Sequence, residues 1–129
     1  IAYCFTEKVG YSRFGDYTGN GSTDGPFIYT GFKPAMVYVK NTSATANWVS
    51  TDNKISFNGK GSNESNCLFP SSNSAQSDAY GLQFYSNGFA FKGSDSASAT
   101  VNASGNIYIY YAFAEAPLVG TNNIPATAR

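Results

Sequence analysis

Gly10 to Lys40 reads GYSRFGDYTGNGSTDGPFIYTGFKPAMVYVK, and this stretch decides the fold. Its first half spaces Gly10, Gly15, Gly19, Gly21 and Gly25 among Asn, Asp, Ser and Thr. Its second half holds two runs of β-branched and aromatic residues, Pro26-Phe27-Ile28-Tyr29-Thr30 and Ala35-Met36-Val37-Tyr38-Val39, separated by Gly31 to Pro34. The pattern predicts a glycine-rich loop feeding two β-strands. Almost nothing in it can do chemistry, so it points to a structural or binding module rather than an enzyme.

The same grammar extends along the chain. No segment keeps a 3.6-residue apolar period for three turns, whereas period-two alternation is frequent. The expected strands are Tyr3–Thr6, Phe27–Thr30, Met36–Lys40, Asn47–Thr51, Cys67–Phe69, Gly81–Tyr85, Phe89–Lys92, Ala99–Asn102 and Ile107–Ala114. Within Leu82-Gln83-Phe84-Tyr85-Ser86-Asn87-Gly88-Phe89-Ala90-Phe91, the Asn87-Gly88 pair predicts a hairpin with a type I′ turn, whose two central residues need positive φ. Serine-rich Ser62–Ser65, Ser71–Ser77 and Ser94–Ser98 read as exposed loops. Short strands with regular turn signals imply an all-β, antiparallel β-sandwich of jelly-roll type. One domain is expected over residues 1–116, followed by an irregular arm over 117–129, where Pro117, Asn122-Asn123 and Pro125 discourage regular structure.

Composition narrows the function. The 129 residues suffice for one domain with a core. Only 12% are charged, against about 25% in an ordinary domain. Eight basic residues balance eight acidic ones, which removes the basic excess of a nucleic-acid binder. A lightly charged, near-neutral surface favours association. There is no apolar run of about 18 residues, so no membrane-crossing helix and no membrane partner is expected. The chain opens Ile1-Ala2-Tyr3-Cys4-Phe5 without Met or a signal peptide, in the middle of a strand pattern, and is read as processed or as part of a longer chain. Cys4 and Cys67 leave two readings open, one disulfide or two buried thiols.

An echo links the two ends. Tyr3-x-Phe5-x-Glu7 returns as Tyr111-x-Phe113-x-Glu115. It is open whether this is chance, two equivalent edge strands pairing within the domain, or a sign of tandem domains in which residues 1–7 close a preceding unit.

With Gly10–Lys40 and the closing NASGNIYIYYAFAEAP (Asn102–Pro117) both in view, the chain resembles a domain of structural proteins of tailed phages, especially marine and cyanobacterial ones. Asn47-Trp48-Val49 and Phe84-Tyr85-Ser86-Asn87-Gly88-Phe89 also match, as more generic β patterns. The resemblance implies a tail-fibre, tail-tip or capsid-surface module, of a kind often found beside lectin-like sandwiches. It supplies no catalytic residues. The chain departs from that pattern between Trp48 and Asn87-Gly88, where a longer charged segment is replaced by a Ser/Asn-rich, nearly uncharged one.

Candidate chemistry is sparse. The chain has no His, which removes Ser-His-Asp, Cys-His and His-metal sites. P-loop, G-x-G-x-x-G and G-x-S-x-G motifs are absent. The carboxylates Glu7, Asp16, Asp24, Asp52, Glu64, Asp78, Asp95 and Glu115 are scattered rather than paired as a glycosidase needs. Asp16-x-Thr18-x-Asn20-Gly21-Ser22-x-Asp24 has the oxygen spacing of a calcium loop, but Phe27 stands where the closing Glu belongs, and a tight turn prefers the same residues. No metal or cofactor is expected. Asn20, Asn41, Asn63 and Asn102 open Asn-x-Ser/Thr sequons and are candidate glycosylation sites.

Aromatic residues carry the remaining signal. Tyr11, Phe14, Tyr17 and Trp48 could stack on sugar, with Asn20 and Asp24 fixing hydroxyls; the competing reading places them in the core, as favoured for Trp48, or in an interface. Tyr108-x-Tyr110 and Tyr111-x-Phe113 put aromatics on both faces of the last strand, which is expected when something covers its outer face. The expectation is therefore a non-enzymatic module, on a virion surface or in an extracellular fibre, that binds copies of itself or neighbouring domains. Its expected contact residues are Ile1, Tyr3, Phe5, Tyr108, Tyr110, Tyr111, Phe113, Leu118 and Ile124. The alternatives are a module recognising host-surface glycans and a subunit of a cellular extracellular filament.

Overall fold

A computed structural model of the chain describes residues 2, 4–55, 66–93 and 97–116. Its strands are β1 (Ser12–Thr18), β2 (Asp24–Tyr29), β3 (Pro34–Asn41), β4 (Val49–Asp52), β5 (Asn66–Cys67), β6 (Ser77–Asp78), β7 (Leu82–Tyr85), β8 (Gly88–Lys92) and β9 (Ile107–Ala114). They form a four-stranded sheet in the order β1-β9-β3-β4, a three-stranded sheet in the order β2-β8-β7, and a short β5-β6 pair. Every pairing is antiparallel. This is an all-β sandwich. β1 pairs with β9 in one sheet and β2 with β8 in the other, so the two ribbons pass between the sheets together, as in a jelly roll. β3–β4 and β7–β8 instead remain hairpins within their own sheets, so the wrap is only partial.

Period-two alternation fills the space between the sheets. Tyr17, Val37, Val39, Val49, Tyr108, Tyr110 and Ala112 point inward from the larger sheet; Ile28, Leu82, Phe84, Phe89 and Phe91 meet them from the smaller one. Rings lock the two layers. Phe89 meets Tyr110 edge to face at 5.3 Å between ring centres, and Tyr17 stacks on Tyr108 at 5.0 Å while also touching Phe91.

Residues 97–106 close one end of this core. Val101 and Asn102 are fully buried. Tyr17 donates its phenol proton to the Val101 carbonyl at 2.6 Å, and Tyr108 donates to the Ala99 carbonyl at 3.0 Å while accepting from the Ala103 amide at 2.8 Å. Burial pushes the Tyr17 phenol well above its ordinary pKa, and the neighbouring Tyr108 adds to the rise. Burial also raises Tyr108, against hydrogen bonds from Ala103 and Asn106 that pull it down.

The structure corrects several expected elements. Ser12–Thr18, read as part of a glycine-rich loop, is β1, paired with β9 along its whole length. Ala99–Asn102, read as a strand, is a series of turns whose backbone serves the tyrosines just described. Of Tyr3–Thr6, the described residues 4–6 are irregular. The β7–β8 hairpin forms, but Ser86-Asn87 make its loop, and neither they nor Gly88 has positive φ, so the turn is not type I′. β9 lies between β1 and β3 with both edges paired, so the two echoed segments are not a pair of edge strands.

Candidate functional site

The outer face of the four-stranded sheet is aromatic. Register sets this: Phe14 of β1, Tyr111 of β9 and Tyr38 of β3 stand in one row, with Phe113 and Met36 in the next row on the same face. Phe14 lies 5.4 Å from Tyr111 and 6.0 Å, edge to face, from Phe113. Trp48, just before β4, leans on Tyr111 at 5.6 Å. From the N-terminal segment Phe5 stacks on Phe14 at 5.3 Å and touches Tyr111, yet remains 58% exposed. Tyr11 closes the edge against Phe113. Together Phe5, Met36, Tyr38, Trp48, Tyr111 and Phe113 line an open groove of about 810 Å³, with Pro70 and Ser71 on its rim.

The N-terminal segment is lightly held. The Ser12 hydroxyl donates to the Thr6 carbonyl at 3.3 Å, and Arg13 pairs with Glu7 at 3.1 Å. On the same face and at the same end of the strands, Glu115 is fixed by Lys33 at 2.6 Å and by the Asn53 side-chain amide at 3.0 Å.

The residues expected at an assembly contact separate by face. Phe5, Tyr111 and Phe113 lie together on the outer face. Tyr108 and Tyr110 do not: both are buried between the sheets, because alternation sends them inward. Burial raises the Tyr110 phenol pKa, with the Arg13 guanidinium pulling the other way. Ile1, Tyr3, Leu118 and Ile124 lie outside the described residues, as does the expected arm over 117–129.

The expected sugar-binding set does not converge. Tyr17 is a core residue, 8% exposed. Phe14 and Trp48 belong to the aromatic outer face, so Trp48 is half-buried there rather than in the core between the sheets. Tyr11 and Asn20 flank opposite ends of β1, which is roughly 20 Å of strand. Asn20 and Asp24 serve the β1–β2 turn: Asn20 Oδ1 accepts from the Ser22 amide, Asn20 Nδ2 donates to the Asp24 carbonyl, and the Asp24 carboxylate takes Lys92. The calcium-like spacing is thus a turn closed on itself, and among the described residues no cluster of His, Cys, Asp and Glu is placed to hold a metal.

Two sequons have buried asparagines. Asn102 is fully buried; its Oδ1 accepts from the Asn20 amide at 2.9 Å, and its Nδ2 donates to Asn20 Oδ1 and the Ser22 carbonyl. Asn41 is equally enclosed, donating to the Ala99 carbonyl and capping the Ser43 and Ala44 amides. Asn20 is exposed, and Asn63 lies outside the described residues. Cys4 is exposed and Cys67 buried in the core, and no disulfide joins them.

Sequence reasoning missed a second aromatic surface on the three-stranded sheet. Tyr29 and Tyr85 both pair with Gly88, and the Phe27 ring folds across that glycine to meet Tyr85 edge to face at 5.7 Å. The alternation Phe27-Ile28-Tyr29 carried the signal, since Ile28 takes the inward position and leaves both rings outside.

The chain belongs to the family described as Domain of unknown function (DUF7483), whose profile matches residues 1–117. No curated protein and no solved structure matches it.

Proposed function

We propose that this DUF7483 domain is a non-enzymatic structural module that acts by self-association, on a phage virion surface or in an extracellular fibre. The observation that carries the reading is the contiguous aromatic outer face of the four-stranded sheet, built from Phe5, Phe14, Tyr111, Phe113 and Trp48. A lone sheet normally turns a polar face to water, and a contiguous apolar patch marks a contact surface. The chain's neutral net charge supports the same reading, because little repulsion opposes bringing copies together. The motif resemblance of Gly10–Lys40 and Asn102–Pro117 supports the virion or fibre setting.

Light scattering over a range of concentrations tests it. A discrete oligomer or an open polymer is expected. Phe5→Ser, placed on an irregular segment so that the sandwich is untouched, is expected to weaken assembly at least ~10-fold, the equivalent of about 1.4 kcal/mol. A 13.7 kDa monomer at every concentration sinks the proposal.

A further inference from the structure

Beyond self-association, the geometry points to a separate binding site for a carboxylated sugar, a hexuronate residue of an acidic polysaccharide, in the cleft beside Arg13 and Tyr29. The cleft encloses about 230 Å³ and is lined by Glu7, Lys8, Arg13, Tyr29, Thr30 and Phe32. That is below the roughly 300–1,000 Å³ of drug-sized pockets, on the scale of one pyranose ring. Lys8 and Arg13 bring two positive charges to the lining and Glu7 one negative, so the cleft carries a surplus of one positive charge and favours a single anionic group. Arg13 Nε sits 3.1 Å from Glu7 Oε1 as an ion pair and the guanidinium also hydrogen-bonds the Tyr110 phenol, yet the buried Nε itself makes no hydrogen bond. Guanidinium geometry matches a carboxylate in two-pronged fashion.

The neighbouring surface fits the rest of a saccharide. Tyr29 is 59% exposed, and its hydroxyl leans towards Gly31, within 3.5 Å of where a Cβ would stand. From Tyr29 the aromatic strip continues over side-chain-free Gly88 to Phe27 and Tyr85. Flat rings accept the C–H faces of successive sugars, and the two phenols provide hydroxyl partners. A neutral sugar would satisfy the strip and leave the cationic cleft unmatched, which is why the acidic class is favoured. The strip lies on the other sheet from the groove of Trp48 and Tyr111, and the cleft meets that groove only through the N-terminal segment, which gives Phe5 to one and Glu7 to the other.

Two-dimensional amide NMR with trigalacturonate tests this, with fully methyl-esterified trigalacturonate and maltotriose as neutral controls. Trigalacturonate is expected to shift signals of residues 7–13 and 29–32, with Kd of about 1 mM. The ester and maltotriose are expected to bind at least ~10-fold more weakly, and added salt to weaken only the acid. Arg13→Gln should lower the affinity ~10-fold, and Lys8→Gln, on an exposed side chain remote from the core, by several-fold. Equal binding of ester and acid overturns the proposal. So do shifts confined to other residues, indifference to both variants, or no response at ~10 mM acid.

Discussion

At the scale of single residues, the asparagines divide the chain's polarity into structure and surface. An Asn/Ser-rich sequence reads as exposed loop, and most of it is. Asn102 and Asn41 are the exceptions, because each is a buried side chain that ties together backbone groups of the surrounding turns. Asn102→Ala removes a donor and an acceptor together and takes one hydrogen bond from each of the Ser22 carbonyl and the Asn20 amide. It is expected to cost roughly 2–3 kcal/mol in urea unfolding. Asn102→Asp keeps the acceptor but buries a charge and should cost more. Sequence could not tell these two from their exposed neighbours, since a sequon describes local residues and the partners of Asn102 lie 80 and 82 positions away.

Individual strands show where local propensity decided and where it was overruled. β9 was legible to the residue, because Ile107–Ala114 alternates without interruption. β1 was not, because Gly15 and Asp16 interrupt it with turn-forming types. It is a strand because β9 offers it seven partners, and Gly15 lets the Tyr110 ring pack close, since a Cβ there would stand 3.0 Å from it. Gly88 was legible as a special glycine, but for another reason than the one it performs. Its φ is ordinary, and a Cβ there would come within 2.2 Å of the Ile28 carbonyl oxygen and 2.6 Å of the Phe27 ring. Gly88→Ala is therefore expected to destabilise by about 3 kcal/mol, the upper end for overpacking, because the atom it strikes is backbone. Asn87→Ala, with no left-handed φ to support, should change stability by less than about 1 kcal/mol. Calorimetry of the two variants separates a close-approach glycine from a turn glycine: a larger loss for Asn87→Ala would restore the type I′ turn.

For the molecule as a whole, the interior tyrosines make stability depend on alkaline pH. Tyr17, Tyr108 and Tyr110 all have folded pKa values raised above the ordinary 10.0, chiefly by burial. Their stabilising contribution is therefore full below about pH 10 and is lost as pH climbs towards the folded values, because the unfolded chain then releases protons that the folded one retains. No histidine titrates near neutrality. Thermal melts are expected to fall steadily above about pH 10, and Tyr17→Phe should blunt that fall while costing about 1–2 kcal/mol for the abandoned Val101 carbonyl. An unchanged pH profile in that variant would remove Tyr17 from the account.

By itself the sequence determined the all-β class, the last strand with aromatics on both faces, and the absence of imidazole chemistry. Each of these is set by residue type and by a period of two, which any short window displays. Only the tertiary structure decided which tyrosines face inward, which asparagines are buried, and that Phe5, Phe14, Trp48, Tyr111 and Phe113 form one surface. It also decided that Arg13 and Tyr29 share a cleft. Those facts depend on strand register and on the crossing of ribbons between sheets, and register is fixed by long-range pairing across dozens of residues rather than by any local run.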